Sequence, residues 1–136
     1  MKPASSPEEI LFANEAFYQA FADGDATAME ALWAEDAPVA CLHPGWEPLY
    51  EREHVIASWR AILQSPPPIR CLAPRVYDLG DSAFVICWEE VGDQVLIATN
   101  IFAREAGQWR IVHHQSGPTA GKPPAEAREA RRPTIN

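Results

Sequence analysis

The side chains best suited to proton transfer lie in two short segments that alternate like β-strands. Residues 39–43 contain Cys41 and His43, and residues 109–116 contain His113 and His114. Because alternate residues of a strand face the same side, Cys41 and His43 share one face. An imidazole titrates near neutral pH and can serve as a general acid or base. We therefore predict that His43 and His114 form an acid/base couple across a pocket. The alternative is that His43 only hydrogen-bonds the backbone at the Pro-Gly corner that follows it.

The remaining reactive groups show no spacing typical of a metal or cofactor site. Two histidines with Asp36 or Glu89 as a third ligand could bind a metal, but the chain has no HxH, HExxH or CxxC motif. We therefore expect no metal and no cofactor. Cys41, Cys71 and Cys87 are expected to be buried free thiols in a reducing compartment. Glu89, near the end of a predicted strand, is expected to be solvated.

Composition excludes several classes of partner. With 136 residues, 47% of them hydrophobic, the chain is expected to form one domain with a full core. The net charge of −8 argues against nucleic acid or an anionic membrane as a partner. The sequence has neither an apolar run long enough to span a membrane nor a secretory signal at its start. A cytoplasmic location is therefore expected.

Helical patterns precede the first strand and follow it. Ser6 and Pro7 are typical of a helix start, and Gly24 and Asp25 are typical of the end of one helix and the start of the next. A third helical pattern, with Trp59 on its apolar side, ends at the three prolines 66–68. Period-two segments at residues 69–77, 83–90, 94–104 and 109–116 then predict an antiparallel meander. Helices first and strands last predict an α+β domain.

This order of elements resembles the cone-shaped NTF2-like superfamily. Residues 21–25 and 31–37 look like its helical approach to the first strand, and residues 41–46 with 56–59 are similar to its SnoaL-like branch. Residues 107–117 resemble the last strand of that branch, and also that of the association domain of calcium/calmodulin-dependent protein kinases. The resemblance implies three helices packed on a curved, mostly antiparallel sheet over residues 8–118. Residues 1–7 are then a flexible N-terminus, and residues 119–136 a flexible or partner-contacting tail.

The resemblance also implies that the sheet and helices enclose a cavity inside the cone. The residues expected to line or close it, besides His43 and His114, are Phe17, Phe21, Cys41, Trp46, Trp59, Trp88, Asn100, Val112 and Ser116. In the steroid isomerases of the superfamily a carboxylate base works with a Tyr and a protonated Asp. The corresponding positions here hold Cys41, Phe17 and Asn100. Ketosteroid isomerisation is therefore not expected.

Two functions from different classes fit these features. The first is binding of a small, largely apolar organic ligand in the cone, with proton-transfer chemistry of the isomerase, lyase or cyclase type through His43. The second is a non-catalytic homodimeric association module. Its dimer contact would be the outer face of the sheet, with Trp109, Ile111 and His113.

Overall fold

Three α-helices and five β-strands make up residues 6–125, the part of the chain that the computed structural model describes. The helices are α1 (Pro7–Asp23), α2 (Ala26–Leu32) and α3 (Arg52–Ile62). The strands are β1 (Ala40–Leu42), β2 (Ile69–Asp78), β3 (Ser82–Val91), β4 (Gln94–Glu105) and β5 (Gln108–Pro118). The predicted α+β order is confirmed. Residues 1–5 and 126–136, which include most of the predicted tail, lie outside the described residues.

Capping residues set the boundaries of the first two helices as predicted. The Ser6 hydroxyl accepts a hydrogen bond from the backbone N–H of Glu9 at 3.4 Å, and Pro7 occupies the first helical turn. α1 ends at Gly24, whose φ of 66° lies in the left-handed region that favours glycine. The Asp25 carboxylate then caps α2 by accepting from the N–H of Ala28 at 3.0 Å. The α1–α2 corner is therefore fixed by local sequence.

The sheet order β1-β5-β4-β3-β2 places the last strand beside the first. β1 pairs in parallel with β5, so that Cys41 lies opposite His114. β2 to β5 form the predicted antiparallel meander. The parallel pair joins the two segments that contain the candidate histidines.

The helices cover one face of the sheet, and the core lies between them. α1 packs against β2, β3 and β5, and α3 packs against β1. Phe17 from α1, Trp59 from α3 and Phe102 from β4 are almost completely buried there. We call this covered face the inner face and the opposite one the outer face.

The segment after β5 runs along the outer face as far as it is described. A Cβ built on Gly121 would lie 2.8 Å from the ring of Trp88, and Pro123 is buried. The described part of the predicted tail, residues 119–125, therefore contacts this chain's own sheet. No helix within residues 6–125 is long and apolar enough to cross a membrane.

Candidate active site inside the cone

Cys41 and His43 both point into the core, as their alternation predicts. Cys41 is completely buried and His43 is 5% exposed. Burial raises the pKa of the Cys41 thiol to about 12, and the nearby Glu89 carboxyl acts in the same direction. Cys41 is therefore a neutral thiol at physiological pH, which argues against a nucleophile or base at this position.

His43 is fixed as a neutral imidazole with one defined tautomer. Its Nε2 lies 2.9 Å from the hydroxyl oxygen of Ser58. The Ser58 hydroxyl donates its only proton to the carbonyl of Val55 at 2.6 Å, so Nε2–H of His43 must donate to Ser58. Burial, and to a smaller extent the charge of His114, lower the pKa of His43 to about 4. His43 thus has two side-chain partners, Ser58 of α3 and the Cys41 thiol, whose Sγ lies 3.5 Å from Nε2 and 3.9 Å from Nδ1.

His114 belongs to a chain of buried hydrogen bonds that runs through Asn100. The Asn100 amide donates to Asn14 Oδ1 at 3.0 Å and to the Tyr18 hydroxyl at 3.1 Å. Its Oδ1 therefore accepts from Nδ1–H of His114 at 2.6 Å. Burial lowers the pKa of His114 to about 3, with a further lowering by His113. The neutral ring thus presents the Nε2 lone pair towards Glu89, whose Oε2 lies 4.0 Å away.

Glu89 is the principal functional candidate that the sequence reasoning missed. The expectation that Glu89 is solvated is wrong, because its residue surface is only 2% exposed. Its Oε2 accepts from the Tyr18 hydroxyl at 2.6 Å, and its Oε1 accepts from the Ser116 hydroxyl. Burial raises the pKa of the Glu89 carboxyl, while the bonds from Ser116 and Tyr18 oppose that rise. Alternation with the apolar residues Val85 and Cys87 is the sequence signal that places Glu89 on the inner face.

Aromatic rings surround the two histidines. The Trp59 ring centre lies 4.7 Å from that of His43 and 5.8 Å from that of His114. Phe17 contacts His114 at 5.0 Å, and Phe21 contacts Trp59 at 5.0 Å. These rings fill the centre of the cone. The indole Nε1–H of Trp59 is buried and has no hydrogen-bond partner among the described residues.

Trp46 covers this cluster from the solvent side. It is 49% exposed, and its ring centre lies 4.8 Å from that of His43. The preceding Gly45 has a φ of 80°, so a left-handed turn aims Trp46 back at the histidine. Trp46 therefore lies over His43 on the solvent side.

One predicted cavity residue lies elsewhere. Trp88 alternates with the inward-facing Cys87 and Glu89, so it lies on the outer face and contacts Gly121. The expectation that Trp88 lines the cavity is wrong. Val112 is the extra residue of a β-bulge, since Ile101 pairs with His113 and the next partner of β5 is Ile111. Val112 is half-buried and packs against the core.

The same bulge overturns the predicted outer-face position of Trp109 and Ile111. A bulge resets the alternation of a strand. Trp109 and Ile111 precede it and point inward, at 9% and 1% exposure. His114 and Ser116 follow it and also point inward. His113, the third residue of the predicted dimer contact, is half-buried and lies opposite Ile101.

The described residues offer no preassembled metal site. No group of three His, Cys, Asp or Glu side chains within residues 6–125 has the geometry to hold a metal ion. Asp36, considered above as a third ligand, is exposed. The side chains of the site itself can support hydrogen bonding and proton transfer.

Comparison with known proteins agrees with this arrangement. A family profile described as a SnoaL-like domain matches residues 10–120. A proposed dehydratase of the NTF2-like family from Streptomyces avermitilis is 30% identical, with a TM-score of 0.75, over 84% of this chain and 96% of its own. A proposed calcium/calmodulin-dependent protein kinase type II association domain from Thiobacillus denitrificans is 33% identical, with a TM-score of 0.70, over 87% of this chain and 99% of its own.

A plant protein is also similar in sequence. F-box protein SKIP8 of Arabidopsis thaliana is 28% identical over 111 residues, which are 79% of this chain and 48% of that protein. The chain thus spans about half the length of this curated relative. The family profile, the structural neighbours and the cone-shaped arrangement of helices and sheet agree: the chain belongs to the SnoaL-like family of the NTF2-like superfamily.

Proposed function

We propose that the domain binds a small, largely apolar organic molecule with a hydrogen-bond acceptor, such as a ketone, inside the cone. The observation that carries this proposal is the unpaired indole N–H of Trp59. A buried donor without an acceptor costs about 1–3 kcal/mol. The rings that fill the centre of the cone must move apart to admit a ligand. A ligand carbonyl beside Trp59 and the two histidines would then satisfy this donor, and the displaced rings would supply apolar contact.

Proton transfer in this site is assigned to Glu89 and His114. Burial displaces the two groups in opposite directions, because the pKa of the carboxyl is raised and that of the imidazole is lowered. We assign the exchange of protons with the ligand to the Glu89 carboxyl, because a raised pKa makes its carboxylate a stronger base, and to the neutral His114 ring, whose Nε2 lies 4.0 Å from Glu89 Oε2. Proton abstraction next to a ligand carbonyl is the reaction class that this pair supports best.

His43, the predicted proton-transfer group, has a second role in this proposal. Its Nε2–H is engaged by Ser58, so Nδ1 is the nitrogen left for a ligand, which would replace the long contact of Nδ1 with the Cys41 thiol at 3.9 Å. Its ring centre is 6.3 Å from that of His114, close enough for one small molecule to contact both. We assign His43 to accepting a proton or a hydrogen bond at the mouth of the site, beneath Trp46. Outward rotation of Trp46 would admit the ligand.

A panel of small cyclic and aromatic ketones tests binding by thermal shift and by the indole N–H signals in NMR spectra. We expect at least one compound to stabilise the wild-type protein and to shift the Trp59 signal. Trp59→Phe keeps a ring but removes the donor, and should weaken that compound about tenfold. Trp33→Phe is the matched control, because Trp33 is also buried with an unpaired N–H but lies beside Ile111. Equal affinity of the two variants, or no stabilising compound, contradicts the binding proposal.

Deuterium exchange tests the chemistry separately. The hydrogens next to the carbonyl of a bound ketone should exchange with D₂O faster in the presence of the wild-type protein. Glu89→Gln and His114→Asn should each slow this exchange without abolishing binding. Catalysed exchange that survives both substitutions would rule out this pair as the acid and base.

The second candidate function is a homodimeric association module. It is favoured by half-buried apolar side chains on the outer face, where Tyr77 and Phe84 stack at 4.6 Å and Ile86 and Ile101 lie on neighbouring positions. Their remaining exposed area is available to a second copy. Sedimentation velocity at micromolar concentration tests this. A dimer that Ile86→Glu dissociates would support an outer-face contact, whereas a strict monomer would count against it.

A further inference from the structure

A cleft lies between α1 and the β4–β5 hairpin. We call it the α1–hairpin cleft. It has a volume of about 500 Å³, and its apolar wall includes Phe12, Ala16, Leu32 and Trp109. Phe12 is 75% exposed at the edge of this wall. The cleft shares no lining residue with the His43–His114 site.

Two guanidinium groups also line this cleft, in a chain whose net charge is −8. Arg104 lies 4.6 Å above the centre of the Trp109 ring and pairs with Glu9 at 3.3 Å. Arg110 donates to the backbone carbonyl of Ala31. These contacts hold both cations beside the apolar wall, in a geometry suited to an anion.

The acidic groups nearby leave room for such an anion. The Glu105 carboxylate accepts hydrogen bonds from the backbone N–H groups of Glu35, Asp36 and Ala37, at 2.7, 3.0 and 3.1 Å. It also attracts Arg110 electrostatically, but less strongly than it is held by the N–H groups of Glu35, Ala37 and Asp36. The Glu9 side chain is 56% exposed. An exposed ion pair contributes little free energy, so a ligand can replace Glu9 at small cost.

Trp109 contributes its ring to the wall of this cleft. The side chain is 9% exposed, and its Nε1–H is shielded from solvent, so the ring rather than the N–H faces the cleft. The two guanidinium groups and the apolar wall together favour one ligand chemistry.

We propose that the α1–hairpin cleft binds a small carboxylic acid with a hydrocarbon tail. Arg104 and Arg110 hold the carboxylate, and the tail lies against Phe12 and Leu32. The ligand displaces Glu9 from Arg104. This site is independent of the one in the cone, and either proposal can fail without the other.

Octanoate is the probe, and the indole N–H signals of the ¹⁵N-labelled protein report binding. Trp109→Phe assigns the Trp109 signal by its loss. Octanoate should shift the Trp109 signal saturably, while octanamide and acetate, which lack the charge or the tail, should bind about tenfold more weakly or less. Glu9→Gln should bind octanoate at least as tightly as the wild type, because a competing carboxylate is removed.

Substitutions of Arg104 complete the test. Arg104→Gln should weaken octanoate about tenfold, and Arg104→Lys should lose less, because it keeps the charge but not the fork of donors. Arg60→Gln, which removes an arginine paired with Glu30 outside the cleft, should bind like the wild type. Unchanged signals from the other tryptophans show that a variant is folded. The proposal is overturned if octanamide binds as well as octanoate, if Arg104→Gln and Arg104→Lys bind like Arg60→Gln, or if octanoate shifts Trp59 instead of Trp109.

Discussion

Replacement of Glu89 by Gln tests how protonation of the buried carboxyl affects the stability of the fold. The substitution keeps the size of the side chain and removes its charge. Burial raises the pKa of Glu89 in the folded state above that of an unfolded chain. A group with a raised pKa stabilises the fold below its unfolded pKa and loses that contribution as pH rises through the folded pKa. Wild-type protein should therefore lose stability relative to Glu89→Gln as pH rises through this window.

The magnitude follows from the number of protons involved. Between the two pKa values the folded wild type holds one proton that the unfolded chain has lost. The free energy of unfolding of Glu89→Gln minus that of the wild type should thus rise by up to about 1.4 kcal/mol per pH unit. Below the ordinary pKa of a carboxyl group, the difference in unfolding free energy between Glu89→Gln and the wild type should be constant and small. There Gln loses at most one neutral hydrogen bond, from the Tyr18 hydroxyl, worth about 1 kcal/mol.

Urea unfolding at a series of pH values measures this difference. The histidines contribute to both proteins, so their titration largely cancels. Glu53→Gln is the control, because the Glu53 side chain is 86% exposed on α3. The reasoning is refuted if the stability curves of Glu89→Gln and the wild type run parallel from pH 4 to pH 8. A carboxyl ¹³C signal of Glu89 that titrates below its ordinary value would refute it as well.

Three further substitutions test His43, the hydrogen bonds of Asn100 and the α1–α2 corner. The pKa of His43 is lowered from 6.5 to about 4, so its contribution to stability is present above pH 6.5 and is lost as pH falls. On acidification from pH 7 to pH 4, the free energy of unfolding of His43→Asn should therefore fall by about 3 kcal/mol less than that of the wild type. Urea unfolding at the two pH values measures this. Asn100→Leu removes an amide that holds three buried partners and should cost about 3 kcal/mol or more, whereas an unchanged urea midpoint would show that these bonds contribute nothing net. Gly24→Ala would place a Cβ 2.9 Å from the Leu63 carbonyl oxygen. In Gly45→Ala the new Cβ meets open space, so this variant should lose only about 1–2 kcal/mol, which is what a left-handed backbone costs alanine. Gly24→Ala should therefore be the less stable of the two in thermal unfolding, and equal losses would contradict the clash.

Local capping signals made the helical half of the fold predictable. The Ser6 cap, Pro7 in the first turn, Gly24 in the left-handed region and the Asp25 cap all act within a few residues. Their physical cause is local backbone chemistry, which sequence records directly. The meander was predictable for a related reason, because the alternation along β3 and β4 is unbroken.

The predictions from sequence that were wrong concern positions where tertiary structure interrupts the local alternation of a strand or satisfies a buried charge. The bulge at Val112 exists because β5 must match β4 on one side and Trp33 on the other. Nothing in the residue types of β5 marks that change of register, so strict alternation put Trp109 on the wrong face. Glu89 was missed for a different reason: its charge suggested solvent, although its position in β3 is an inward one. Hydrogen bonds from Tyr18 of α1 and Ser116 of β5 satisfy it, and such partners are visible only after folding.

The interior position of β5 in the sheet has a consequence for how the chain acquires its structure. β5 lies between β1 and β4 although it is the last strand to be synthesised. During synthesis β1 has no strand partner, and the apolar faces of the helices lack their full cover until β5 emerges. Pairing between strands so distant in the chain is slow to form. The unfinished domain is therefore the species that chaperones would bind, and the His43–His114 site is among the last parts of the molecule to assemble.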